Sequence, residues 1–141
     1  MVYRPESIER RLAKLGQYAE DLAGLLPADF ESYVTDRRAK YATERLLLLI
    51  TETVLDILDH ALSAKHEVVS DGYEDILRGA HAHGILSTSR FRQLEGIGGF
   101  RNVLAHEYLA LRDEEVYAHA VKLRDLLPAL ESDLESIVAD Q

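Results

Sequence analysis

Cysteine is missing from this 141-residue chain, which excludes disulfides and thiolate metal sites and makes a reducing cytoplasm the expected compartment. Long apolar runs are missing as well. The longest, Leu46 to Ile50, falls far short of the roughly 18–20 residues that span a bilayer, so no membrane partner is expected. The opening residues Met1-Val2-Tyr3-Arg4-Pro5-Glu6 lack the apolar stretch of a secretion signal. Positive charge is scarce: 16 Lys and Arg stand against 25 Asp and Glu, for a formal net charge of −9. General nucleic-acid binders are usually basic, because phosphate contacts supply most of their affinity. A broad RNA-coating role is therefore excluded, whereas action on RNA through a small local basic patch is not.

What remains is an ordinary globular composition, 47 % apolar and 29 % charged, long enough for one core and too short for two. Residues 1–141 are read as one domain. Ile8, Leu12, Leu15, Ala19, Leu22 and Leu26 recur at alternating spacings of four and three, the stripe of an amphipathic helix bounded by Pro5 and Pro27. Asp29 is placed to cap a long second helix running to about Ala64. The apolar residues of that helix, among them Val34, Tyr41, Leu46 to Ile50, Val54, Leu55, Ile57, Leu58, Ala61 and Leu62, exceed one stripe. Burial on two sides is expected, one side facing its own bundle and the other a partner chain. Asp71-Gly72-Tyr73-Glu74 reads as a capping box for a short helix to about His81, with Gly84 near its end. Ser87 or Ser89 opens the next helix, read through Phe91, Leu94 and Ile97 to Tyr108, with Gly96, Gly98 and Gly99 inside it. Each glycine weakens a helix by roughly 1 kcal/mol relative to alanine, so close backbone approach to a neighbouring helix or to a phosphate is expected there. Asp113 caps the last helix, which carries Val116, Ala120, Leu123, Leu127, Leu130, Leu134 and Ile137 and is expected to bend or split at Pro128. The fold class is all-α, an antiparallel four-helix bundle with an additional short helix.

One segment of this scaffold carries chemistry rather than packing: Gly99-Phe100-Arg101-Asn102-Val103-Leu104-Ala105-His106-Glu107-Tyr108. Arginine holds phosphate as a planar, permanently charged fork, and histidine exchanges protons near neutral pH. With Arg101 at zero and ~100° per residue, Asn102 falls near ~100°, His106 near ~140° and Tyr108 near ~−20°. Ile97, Phe100, Val103 and Leu104 fall on the opposite, core-facing arc. Asn102 and His106 are neighbours at i and i+4, and Arg101 and Tyr108 align two turns apart. Glu107 breaks this division and marks the expected end of the helix. Polar residues on an outward helix face are also common in purely structural helices, so the spacing needs structural context.

The run from Gly99 to Leu109 resembles the Arg-x4-His-x-Tyr motif of HepT-like toxins, within the HEPN ribonuclease superfamily. The stretch from Phe30 to Arg38 is similar to the start of that family's second helix, and the acidic spacing of Glu52 and Asp56 is similar too. The likeness extends from about Ile8 to Ile137. It implies a homodimer in which two Arg-x4-His helices approach a composite cleft, and a metal-independent endoribonuclease activity that needs no cofactor. It also implies a cognate MntA-like nucleotidyltransferase antitoxin, in a hetero-oligomer with the toxin, that attaches AMP to Tyr108. On this reading the catalytic residues are Arg101, His106 and Asn102. His106 moves protons at the 2′-hydroxyl or the leaving 5′-oxygen, and the partner protomer's copy supplies the complementary role. Arg101 stabilises charge on the phosphoryl oxygens. Asn102 holds the imidazole tautomer or donates to a phosphate oxygen.

Two other classes of function compete with this reading. One is a catalytically silent HEPN scaffold for a nucleotidyltransferase. The other is a nucleotide-binding subunit, with Arg101 and the glycine-rich stretch around a nucleotide phosphate. The remaining histidines have plainer readings. His81 and His83 are two apart and would point to opposite sides of a helix, so with His60 and His66 they are read as solvated rather than as metal ligands. His119 is assigned to the surface of the last helix. Arg37 and Arg38 are solvated or at an interface, Glu114 and Glu115 suit a helix start, and the acidic run from Glu131 to Asp140 is a solvated face.

Overall fold

The four-three apolar spacing of the first segment produces α1 (Pro5–Leu25), with proline in its first turn and Ile8, Leu15 and Leu22 fully buried. In the computed structural model, which describes residues 2–139, six further helices follow, with no strand among the described residues. They are α2 (Phe30–Val34), α3 (Arg37–His66), α4 (Tyr73–Ala82), α5 (Thr88–Leu94), α6 (Ile97–His106) and α7 (Asp113–Ala139), and a short 3-10 turn at Tyr108–Ala110 precedes α7. Asp140, the end of the acidic run, lies outside the described residues, as do Met1 and Gln141.

Two of the long helices read from the sequence are each broken once. Asp29 does cap, accepting from Ser32 N–H at 2.8 Å, but the helix it starts ends at Val34. Thr35 turns its hydroxyl back to the Glu31 carbonyl at 2.9 Å, and Asp36 opens α3 by accepting from Ala39 N–H at 3.1 Å. Two acidic caps seven residues apart thus make two helices where apolar periodicity reads one. The helix expected from Ser87 to Tyr108 is divided likewise. Ser87 caps α5 through Arg90 N–H at 3.1 Å, and Gly96, left-handed at φ +89°, interrupts the helix before α6. Conversely, α7 is not split at Pro128. Leu126, Leu127, Leu130 and Leu134 are buried around the proline, and their packing offsets the lost backbone bond. Asp113 is the first residue of α7 rather than its cap, and its carboxylate pairs with Lys40 at 3.1 Å.

Three contacts fix the helix directions. Arg4 N–H donates to His60 Nε2 at 3.2 Å, which sets the start of α1 beside the end of α3. Tyr117 Oη donates to the Pro27 carbonyl at 2.8 Å, which sets the end of α1 beside the start of α7. Lys65 Nζ donates to the Ile137 carbonyl at 2.6 Å and joins the ends of α3 and α7. Helix α1 therefore runs antiparallel to both. Helix α3 is the centre of the bundle: α1, α4, α6 and α7 all pack on it. The second apolar stripe of α3, assigned from the sequence to a partner chain, is covered by helices of this chain itself, and Tyr41 stays 66 % exposed. Among the described residues, no helix is long and apolar enough to cross a membrane.

Candidate active site

The helix that carries the motif is set in place by three glycines with three different roles. Gly96 supplies the left-handed turn before α6. Gly98 is buried against α4, and a Cβ there would lie 2.5 Å from Tyr73 Cβ and 3.0 Å from Glu74 Oε1. The sequence left two causes open for close approach, and at Gly98 a neighbouring helix is the one found. Gly99 faces open space. The Glu74 carboxylate accepts from Gly98 N–H at 3.0 Å and from Gly96 N–H at 3.4 Å. A carboxylate satisfies the free donors at a helix start and complements its dipole. Glu74 therefore caps α6, not its own helix, and the capping box read at Asp71-Glu74 does not form. Gly72 is the N-cap of α4 without a side-chain bond, and Asp71 N–H donates to Asp75 Oδ2 at 3.0 Å.

With Ile97, Phe100 and Leu104 buried, α6 directs Arg101 toward the surface between α3 and α4. The Arg101 side chain is 16 % exposed, and a guanidinium so far removed from water needs a partner. That partner is Glu52, whose Oε1 accepts from Arg101 Nε at 3.1 Å and Nη2 at 2.5 Å. Arg101 Cζ lies over the Tyr73 ring, 4.9 Å from its centroid. The remaining edge is turned outward: Nη1 donates to Asn102 Oδ1 at 3.2 Å and lies 3.4 Å from His106 Nε2. Arg101, Asn102 and His106 thus converge, with Asn102 and His106 exposed and joined through Arg101. An arginine N–H directed at Nε2 matches an imidazole that carries its proton on Nδ1. Beside Asn102 a groove of about 380 Å³ runs past Gly98 and Gly99 to Asp71, Tyr73 and Arg78.

Tyr108 departs from its expected place. Helix α6 ends at His106, Glu107 leaves the helical conformation at φ −124°, ψ 43°, and Tyr108 begins the 3-10 turn. The two-turn alignment with Arg101 therefore does not form. Tyr108 is 69 % exposed and Leu109 90 %, and both line a shallow depression of about 220 Å³ that includes His106.

Glu52 entered the sequence reading only through a resemblance of spacing, and Tyr73 and Glu74 entered only as parts of a capping box. The close packing expected at the glycines is the one signal that points from α6 toward Tyr73 and Glu74. Helix α3 also carries Asp56, whose carboxyl burial pushes above its ordinary value against the pull of Arg11 and Arg101. Among the other histidines, His66 and His83 lie 4.8 Å apart between ring centroids, and His81 stacks on Phe91. Among the described residues, no three His, Asp or Glu side chains gather in a metal-binding group. His119 stacks on Phe100 at 3.8 Å between centroids, and burial holds its imidazole below the ordinary value. Arg37 and Arg38 are exposed.

The chain is similar to known proteins along most of its length. The sequence profile of the Ribonuclease HepT-like family matches residues 15–137. The tRNA nuclease HepT of Aphanizomenon flos-aquae (strain 2012/KM1/D3) is 31 % identical over 113 residues, covering 80 % of this chain and 77 % of the relative. Among solved structures, the Bacillus subtilis cytosolic protein of unknown function YutE superposes with a TM-score of 0.80 at 17 % identity, over 96 % of this chain and 92 % of YutE. The tri-AMPylated Shewanella oneidensis HEPN toxin, determined in complex with MNT antitoxin, gives 0.70 at 15 % identity, over 94 % and 93 %. At those identities the structures speak to the all-α fold alone. The family match encloses both α3, which supplies Glu52, and the Arg101–His106 motif on α6, and the chain belongs to the HepT-like ribonuclease family.

Proposed function

We propose that this chain is the toxin of a toxin–antitoxin pair, a metal-independent endoribonuclease whose site is completed in a homodimer. AMPylation of Tyr108 by a nucleotidyltransferase antitoxin silences it. The observation that carries the reading is the 3.4 Å approach of Arg101 Nη1 to His106 Nε2 at the exposed edge of a guanidinium held from behind by Glu52. A phosphate at that edge meets a fixed positive fork and a proton-transfer group together.

RNA carries its own nucleophile. The 2′-oxygen attacks the adjacent phosphorus and gives up its proton, the bond to the 5′-oxygen breaks, and that oxygen takes up a proton. The products are a 2′,3′-cyclic phosphate and a free 5′-hydroxyl. One proton leaves and one arrives at different oxygens, so a base and an acid are both required. His106 of one protomer takes one role and the partner's copy takes the other. Arg101 holds the charge that gathers on the non-bridging oxygens, and Asn102, fixed by Arg101 Nη1, keeps its amide N–H groups for a phosphate oxygen. A single fixed cation suits an acidic chain that cuts RNA without coating it. The relative's name, tRNA nuclease, supports transfer RNA as the substrate class.

The AMPylated HEPN toxin among the similar structures supports the second half of the proposal. Tyr108 Oη gives up its proton and attacks the α-phosphorus of ATP, the bond between the α- and β-phosphates breaks, pyrophosphate departs, and the tyrosine keeps an adenylyl group. That group adds negative charge and bulk beside His106, where the RNA backbone must pass. Both partners work in the cytoplasm.

Expression of the chain alone should arrest growth, and the purified protein should cleave RNA in the presence of a chelator. His106→Ala and Arg101→Ala should lose both effects and remain folded dimers by sedimentation. Full cleavage by His106→Ala would remove the proposed chemistry. After co-expression with the antitoxin, intact mass should show adenylyl additions that Tyr108→Phe lacks. Persistence of all additions in that variant would place the acceptor elsewhere.

A further inference from the structure

We propose that Tyr73, the first residue of α4, is the positioning residue that holds the Arg101 guanidinium in place over its ring, with Glu74 and Gly98 clamping α4 to α6 so that the ring can reach it. The inference rests on the ribonuclease reading and adds to it a residue outside the motif.

Glu52 alone cannot fix Arg101. Both of its bonds to the guanidinium run to a single oxygen, Oε1, so the planar group is free to hinge about that atom. The outward edge, which reaches Asn102 and His106, would swing with it. A ring face beneath the guanidinium opposes this motion, because cation–π attraction holds the charge over the ring. The Tyr73 ring lies 4.9 Å from Cζ and performs this task.

The ring reaches Arg101 because three further features agree. Gly98 and Arg101 stand at i and i+3, on one face of α6. At Gly98 a Cβ would sit 2.5 Å from Tyr73 Cβ, so a larger residue would push α4 and its ring away. Glu74, next to Tyr73 in the chain, accepts from the N–H groups of both Gly96 and Gly98. The residue that carries the ring and the residue that caps α6 are therefore neighbours, and the start of one helix fixes the start of the other. The proposed role uses the ring face and has no need of the Tyr73 hydroxyl.

The test compares full-length wild type, Tyr73→Phe, Tyr73→Leu and His106→Ala on one single-stranded RNA under steady-state conditions. Tyr73→Phe should stay within about twofold of wild type, since it keeps the ring face. Tyr73→Leu should lose about tenfold in kcat, the size of a partly desolvated cation–π contact, with KM nearly unchanged. A loss of folded protein would also lower apparent kcat at unchanged KM, so kcat is referred to the folded fraction measured at the assay temperature. The NMR signal of Arg101 Nε–H, assigned by its loss in Arg101→Lys, provides a readout independent of activity. It should be ring-shifted in wild type and Tyr73→Phe and should return toward the ordinary arginine position in Tyr73→Leu. Wild-type kcat in Tyr73→Leu, equal losses in both Tyr73 variants, or an Nε–H signal indifferent to the ring would each overturn the proposal. If no form cleaves RNA while the NMR shift still follows the ring, the ribonuclease reading fails and the assignment of Tyr73 stands.

Discussion

Glu52 and Arg101 are 49 residues apart in the chain, and one oxygen of Glu52 accepts from both Nε and Nη2 of Arg101. The pair joins the middle of the central helix to the motif helix. It makes a mostly buried guanidinium tolerable, and it tempers the charge that faces solvent. On the proposed reading, what Arg101 offers a phosphate is directed donors at one edge more than a broad field. In a chain of net charge −9, that distinction separates a cutter of RNA from a binder of RNA.

Removing the Glu52 carboxylate should lower turnover more than affinity. In Glu52→Ala both charge-assisted bonds are lost, and Arg101 turns into the water around it. Turnover should fall by about 10- to 100-fold, on the scale of one hydrogen bond to a charged group. Glu52→Gln keeps an accepting oxygen and frees the positive charge, so it should recover most of kcat and lower KM. Steady-state kinetics on one RNA check both variants, and equal loss in Ala and Gln would mean that charge, not position, is what Glu52 supplies.

Gly98 and Gly99 are adjacent, and substitution by alanine should move stability in opposite directions. At 98 the new Cβ meets Tyr73 Cβ at 2.5 Å, an overpacking that costs about 1–3 kcal/mol. At 99 it meets nothing within 4 Å, and alanine recovers roughly 1 kcal/mol of helix propensity. Urea denaturation of the two variants beside wild type measures the contrast. A neutral Gly98→Ala would show that α4 and α6 can separate without loss.

The legible part of this fold was the part governed by local pattern. Ile8, Leu15 and Leu22 marked α1, and Ile97, Phe100 and Leu104 marked the buried face of α6. Arg101, Asn102 and His106 were visible as one constellation because they share one helix. The contacts that orient them were not visible, because Glu52 and Tyr73 reach Arg101 through tertiary packing. Glu74 was misread for the same reason: a capping-box spacing describes a local bond, and a donor from another helix took its place. Tyr108 was placed by extending a helix past its end, and residue spacing does not record where the backbone leaves the helix. The break at Thr35 shows the converse, since apolar periodicity continues across Asp36 while its side chain starts a new helix.

The Asp36 cap is the device that makes α3 a separate helix, and it should be separable by mutation. Asp36→Ala removes the acceptor for Ala39 N–H and should cost about 1 kcal/mol, whereas Asp36→Asn or Asp36→Ser should cost much less. Thermal or urea denaturation checks the ranking. Equal loss in Ala and Asn would assign the effect to charge rather than to the cap.

His119 should make stability fall on mild acidification. Its imidazole stacks on Phe100, and burial, assisted by Lys122 and opposed by Glu115, holds its folded value below the ordinary 6.5. The unfolded chain then binds more protons than the folded one between the two values, so stability rises with pH across that interval. The full contribution is present above about pH 6.5 and is lost as pH falls through the lowered folded value. Glu44, Asp56 and Glu131 act in the opposite sense, because burial raises their carboxyls and protonation relieves the folded state. Comparison of wild type with His119→Gln isolates the histidine. The wild type should lose more stability than the variant between pH 7 and pH 5, read from urea midpoints. Because Phe100 directly precedes Arg101, acidification should also loosen the motif helix. Parallel pH curves for the two proteins would remove His119 as the group responsible.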